Sequence, residues 1–134
     1  CTGGLIGHRI TNVSGSSEIF KGCHVVYSNE AKINLLGVDH ETIDSYGAVS
    51  KQVAEEMAIK VRSIFSTDYG LSVTGIAGPG GGTEDKSVGL VYIGLSDGNK
   101  TEVRKYNFSS NRINNKSKTS QVALDWLRLK LIND

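Results

Sequence analysis

The chain has 134 residues, of which 38% are hydrophobic and 22% charged, and its formal net charge is +1. These values are typical of one globular domain. No apolar run approaches the roughly 20 residues that span a bilayer, and no clustered basic face suggests nucleic-acid binding. Two cysteines are too few for a disulfide scaffold, so we expect a cytoplasmic protein. The three histidines lack ligand spacing, and neither a metal nor a cofactor is predicted.

Helices dominate the prediction for the first half of the chain. A serine cluster and a following glycine predict a short helix before a β-rich segment. The helix that begins at Ser50 is the clearest, because its apolar residues recur along one face. In chain order the predicted elements are helices over 3–12 and 14–22, a strand over 23–27, and helices beginning near Ser28, Asp39 and Ser50.

Strands and loops dominate the second half. A glycine-rich loop follows a short buried strand, and Asp97-Gly98 is typical of a hairpin turn. In chain order we predict a strand over 70–74, a loop over 75–86, strands over 88–96 and 101–108, and a helix over 114–132. Helices between strands, together with a hairpin, indicate an α/β layered domain with a mixed sheet. The loop that starts at Cys1 is expected to follow a strand, so we expect an N-terminal helix and strand to be missing from this sequence.

The loop over 75–86 (GIAGPGGGTEDK) is the first candidate binding feature. Glycines such as Gly75 and Gly78 let a backbone approach a ligand closely and direct N–H groups at an anion. The loop has neither the Walker pattern nor the dinucleotide-binding pattern. A flexible connector is the alternative interpretation.

Ser17, Tyr27 and Lys32 form a second constellation. A serine nucleophile needs a base, and a neutral lysine can serve if burial or a helix N-terminus lowers its pKa. With Asn29 as the N-cap, Lys32 would lie in the first turn of its helix. No S-x-x-K motif is present, so a capping serine and a surface lysine remain the alternative.

Thr74 and Arg112 are the remaining candidates, and each follows or ends a predicted strand. Ligands collect at the carboxyl ends of strands in open α/β sheets, where the Thr74 hydroxyl or a nearby N–H could stabilise an oxyanion. Arg112 could grip a phosphate through two hydrogen bonds. The alternative for Thr74 is an ordinary β-branched strand residue, and the alternative for Arg112 is a solvated arginine in a loop.

Together these segments resemble the CinA C-terminal family over essentially the whole chain. The most specific string is Thr74-Gly75-Ile76-Ala77-Gly78-Pro79. The other matching strings are Cys1-Thr2-Gly3-Gly4, Gly15-Ser16-Ser17, Tyr27-Ser28-Asn29-Glu30-Ala31-Lys32, Gly47-Ala48-Val49-Ser50 and Phe108-Ser109 with Arg112. The resemblance implies a three-layer α/β/α sandwich with a mixed sheet, formed by residues 1–134 as one domain.

The resemblance also implies an activity, the hydrolysis of nicotinamide mononucleotide to nicotinic acid mononucleotide and ammonia. The implied catalytic residues are Ser17 as nucleophile, Lys32 as base, Tyr27 and Thr74. Gly3, Gly75, Gly78 and Arg112 are the expected substrate contacts. A nucleotide is then the expected small-molecule partner, and a homo-oligomer the expected assembly. Two other functions stay open: a nucleotide-binding module without turnover, and a competence-related interaction domain.

Overall fold

The computed structural model of the protein describes residues 1–133. Its helices are α1 (Leu5–Thr11), α2 (Asn29–Asn34), α3 (His40–Tyr46), α4 (Lys51–Phe65) and α5 (Arg112–Asn133), with a short 3-10 turn at Ser16–Glu18. Its strands are β1 (Gly70–Gly75), β2 (Leu90–Ser96) and β3 (Thr101–Asn107). Within residues 1–133, no helix is long and apolar enough to cross a membrane.

The three strands form an antiparallel sheet in the order β1-β2-β3. The β2–β3 hairpin turns where predicted, because Asp97 Oδ1 accepts hydrogen bonds from the backbone N–H groups of Asn99 and Lys100. Gly98 has a φ of 90°, a left-handed conformation that favours glycine.

Helices cover both faces of the sheet, which gives the three-layer α/β/α class that the family resemblance implied. On one face α4 lies very close to the strands, because Gly94 has no side chain and Ser72 Oγ donates to Ala54 O at 2.6 Å. On the other face α5 packs through Ala123 and Trp126. The apolar core on that side contains Val91, Ile93, Leu95, Ala123 and Trp126.

Capping residues in the sequence predicted where most of the helices begin. Ser50 caps α4 through its hydroxyl, which accepts a hydrogen bond from the Val53 N–H at 3.3 Å. The helix predicted over 14–22 is only the 3-10 turn at Ser16–Glu18. Ser28 rather than Asn29 caps α2, since its Oγ accepts from the Ala31 N–H at 3.0 Å.

The strand predicted over 23–27 does not form within the described residues. These residues belong to no ladder, and two of their carbonyl groups, those of Val26 and Tyr27, accept hydrogen bonds from a lysine side chain instead. Both described strand pairs are antiparallel, so the parallel pair that a mixed sheet requires is absent among residues 1–133. The α/β prediction is confirmed, whereas this detail of the sheet differs.

Candidate active-site cavity

An open cavity of about 150 Å³ lies at the carboxyl end of β1. The N-terminal loop and the starts of α2, α4 and α5 surround it. This is the edge of the sheet at which ligands collect in α/β folds. The lining residues are Cys1, Tyr27, Asn29, Lys32, Ala48, Val49, Thr74, Gly75, Ala77 and Arg112. Five of the eight residues expected at the site therefore meet here: Tyr27, Lys32, Thr74, Gly75 and Arg112.

Lys32 is the buried amine of this cavity, with only 7% of its surface exposed. Its Nζ donates to Val26 O at 3.0 Å and to Tyr27 O at 3.3 Å. Burial lowers the pKa of Lys32 below 10.5 because the charged form loses hydration. Two carbonyl acceptors satisfy the two N–H bonds of a neutral amine and leave its lone pair available to take a proton.

Thr74 is 3% exposed and joins β1 to the loop before α4. Its Oγ1 donates to Ala48 O at 2.7 Å, so its hydroxyl proton is committed and its oxygen remains an acceptor. The backbone N–H groups of Ala48 and Val49 have no hydrogen-bond partner within residues 1–133. They lie beside the N-terminus of the 15-residue helix α4, whose dipole adds positive potential. This loop therefore has free N–H donors beside the cavity, a type of group that can stabilise an oxyanion.

Arg112 links the start of α5 to the glycine-rich loop and to Tyr27. Its two terminal nitrogens donate to Gly78 O at 2.8 Å and to the Tyr27 hydroxyl at 3.0 Å. Gly78 has a φ of 88°, which a side chain would strain. The guanidinium carries five N–H donors, so these two bonds leave others available for a ligand.

Gly3 lies just outside the cavity lining, in the exposed turn before α1. A Cβ placed on Gly3 would be 3.5 Å from Lys116 Nζ. Lys116 was not among the residues expected at the site, although it follows Arg112 by four positions. Residues four apart share one face of a helix, so that spacing was the signal available in the sequence. For Ala48 and Val49 the signal was their position just before the cap of α4.

The structure does not bring Ser17 to this cavity. Ser17 is exposed in the 3-10 turn, and its hydroxyl has no hydrogen-bond partner within residues 1–133. Cβ atoms placed on Gly4 and Gly7 would contact Val25 and Cys23 respectively, so α1 and residues 20–25 run antiparallel. The turn with Ser17 lies beyond the far end of α1, whose seven residues rise about 10 Å.

Comparison with known proteins agrees with this architecture. The family model of the CinA C-terminal domain matches residues 1–131 of this chain. The chain belongs to this family. A CinA-like protein from Endomicrobium trichonymphae is 54% identical over 132 residues, which are 98% of this chain and 31% of that protein. Another CinA-like protein, from Acidobacterium capsulatum, is 52% identical over 98% of this chain and 32% of its own length.

Solved structures of CinA proteins have the same fold. The competence/damage inducible protein CihA from Agrobacterium tumefaciens superposes with a TM-score of 0.93 at 37% identity, over 96% of this chain and 79% of that chain. A competence or damage-inducible protein from Enterobacter asburiae superposes with a TM-score of 0.93 at 33% identity, over 98% of this chain and 82% of that chain. This CinA C-terminal domain spans about a third of the length of the relatives described above.

Proposed function

We propose that the chain is a nicotinamide-nucleotide amidase, which hydrolyses nicotinamide mononucleotide to nicotinic acid mononucleotide and ammonia. The observation that carries this proposal is Lys32, a buried amine with a lowered pKa in a cavity that no carboxylate of residues 1–133 lines. Lowering the pKa of an amine makes its neutral form available at lower pH, and the neutral amine can deprotonate a hydroxyl nucleophile. The free N–H groups of Ala48 and Val49 are suited to the negative oxygen that forms when an amide is attacked.

In the proposed reaction, Lys32 takes the proton of Ser17 as Ser17 Oγ bonds to the carboxamide carbon. The carbonyl electrons move onto oxygen, where the N–H groups of Ala48 and Val49 stabilise them. The intermediate collapses, Lys32 returns the proton to the nitrogen, and ammonia leaves an ester on Ser17. Water then attacks the ester, and Lys32 relays its proton to Ser17 as the acid departs. Thr74 Oγ1 accepts a hydrogen bond from the carboxamide nitrogen, because its own proton is donated to Ala48 O.

Ser17 has to reach Lys32 for this reaction, and we propose that a second copy of the chain supplies it. The side chains of Val13 and Ile19 flank Ser17 and are 65% and 79% exposed. Tyr27, at the cavity, is 65% exposed and offers an apolar surface to such a partner. In a two-fold dimer, the surface around Ser17 of each copy contacts the surface around Tyr27 of the other copy. This contact occurs twice and would complete both sites.

The test of the activity is ammonia release from nicotinamide mononucleotide by the full chain, Ser17→Ala and Lys32→Ala. We expect turnover in the full chain and a loss of at least about a thousandfold in each variant, because nucleophile and base act as a unit. Ser14→Ala is the matched control, since Ser14 is also an exposed serine outside the cavity. Turnover that survives either substitution would contradict the mechanism.

One observation favours a second candidate, a nucleotide-binding module without turnover. Ser17 lies outside the cavity of the single chain, so the pocket by itself has a base and no serine. This candidate predicts that nicotinamide mononucleotide binds and stabilises the protein while no ammonia is released. Calorimetry and the ammonia assay on one sample therefore separate the two functions.

A further inference from the structure

We infer that Lys116, Arg112 and the backbone N–H groups of Gly3 and Gly4 form an anion subsite for the phosphate monoester of the bound nucleotide. The nucleotide itself rests on the proposed function, whereas the subsite is argued from the position and charge of these groups. Lys116 is then the residue that distinguishes a nucleotide from its nucleoside.

One helical position and one contact place Lys116 at the edge of the cavity. It lies one turn after Arg112 on α5, and Arg112 lines the cavity. Its Nζ lies against Gly3, which is two residues from Cys1, another lining residue.

Lys116 is half-buried, and it has no ion pair or hydrogen bond within residues 1–133. The ion pairs formed among those residues leave out Lys32 and Arg112 as well. Among residues 1–133, no carboxylate lines the cavity. A half-buried cation without a counter-charge is suited to an anionic ligand, because the ligand supplies the charge that the protein lacks.

The turn before α1 adds two neutral donors. The N–H groups of Gly3 and Gly4 have no hydrogen-bond partner in the described part of the chain. Their φ values of 61° and 88° are in the left-handed region, where glycine is favoured. A phosphate monoester has several acceptor oxygens and nearly two negative charges. It therefore matches two cations and two N–H groups better than a single carboxylate does.

The experiment compares two substrates that differ only in the phosphate, nicotinamide mononucleotide and nicotinamide riboside. The variants are Lys116→Ala, Lys116→Met, Lys116→Arg and the control Lys118→Ala, an exposed lysine that makes no described contact. We expect Lys116→Ala and Lys116→Met to raise KM for the nucleotide about tenfold, as for the loss of one charge-assisted hydrogen bond. Turnover of the riboside should not change, and Lys116→Arg should keep most of the affinity for the nucleotide.

A direct measurement keeps this inference separate from the proposed activity. Calorimetry with nicotinamide mononucleotide and with inorganic phosphate should show weaker binding to Lys116→Met than to Lys118→Ala. If the full chain releases no ammonia but this difference is found, the amidase proposal fails and the subsite stands. If Lys116→Met binds both anions as tightly as Lys118→Ala does, or loses the riboside and the nucleotide equally, the inference is wrong.

Discussion

Lys32 combines burial with a pair of carbonyl acceptors, and this combination determines how the residue titrates. Its pKa is lowered below 10.5 in the folded chain because the charged amine is desolvated there. At pH values below the lowered pKa, Lys32 is protonated in both the folded and the unfolded state, and the folded state bears the full desolvation cost. Above 10.5 both states are neutral and that cost is gone.

A pH series should reveal this cost. Between the lowered pKa and 10.5 the unfolded chain binds more protons at Lys32, so the free energy of unfolding gains a rising contribution. Urea titrations of the full chain and of Lys32→Met, from neutral pH to just above 10.5, isolate that contribution as their difference. We expect the free energy of unfolding of the full chain to rise relative to that of Lys32→Met as the pH rises. Parallel curves would show that Lys32 is not desolvated.

The same titration governs the proposed chemistry, because only neutral Lys32 can take a proton. The kcat/KM of the amidase reaction should therefore rise with pH and level off above the lowered pKa. Lys32, Tyr27, Thr74 and Arg112 line one cavity, and their catalytic and binding roles stay predictions from the sequence. What the sequence could not predict is that Thr74 commits its hydroxyl proton to Ala48 O, because that bond joins residues 26 positions apart.

Between elements, the close approach of α4 to β2 is the contact most sensitive to added volume. A Cβ placed on Gly94 would lie 2.5 Å from Ala54 O and 2.7 Å from Ser72 Oγ. Real Cβ atoms do not approach a backbone oxygen this closely, so the helix or the strand would have to move. The distance between these layers therefore depends on the missing side chain at Gly94.

Gly94→Ala should destabilise the fold by about 1–3 kcal/mol, the usual cost of overpacking a core. Gly80→Ala is the control, since a Cβ there meets nothing within 4 Å and the Gly80 φ is not positive. Urea unfolding of both variants measures the difference. Equal free energies of unfolding for the two variants would mean that α4 moves away from the sheet at no cost in stability.

The elements also show where sequence patterns succeed and where they stop. The cap of α4 and the turn at Asp97 were predictable, because each depends on residues only two or three positions apart. The segment 23–27 has strand-like composition, but a strand also needs a partner, and partners are not encoded locally. Its carbonyl groups accept hydrogen bonds from Lys32 instead. The location of Ser17 outside the cavity was not predictable for the same reason, since the run of the chain from α1 back to the cavity depends on tertiary contacts.

At the scale of the whole molecule, the two halves of the proposed dyad lie at opposite ends of the unit formed by α1 and residues 20–27. Ser17 sits beyond the far end of α1, and Lys32 follows the segment that returns to the cavity. Both surfaces expose apolar side chains, Val13 and Ile19 beside Ser17 and Tyr27 at the cavity. These exposed side chains support the proposed two-fold dimer that exchanges Ser17 between copies.

Mixing two inactive variants tests this exchange. Ser17→Ala and Lys32→Ala, co-expressed with different tags, should recover about a quarter of the full activity, because half of the random dimers then have one intact site. Each variant expressed alone is the control and should stay inactive. Isolating the dimer that carries both tags should double the recovered activity per chain. If that mixed dimer forms and remains inactive, Ser17 acts within its own chain, and the turn at Ser16–Glu18 must instead move to the cavity.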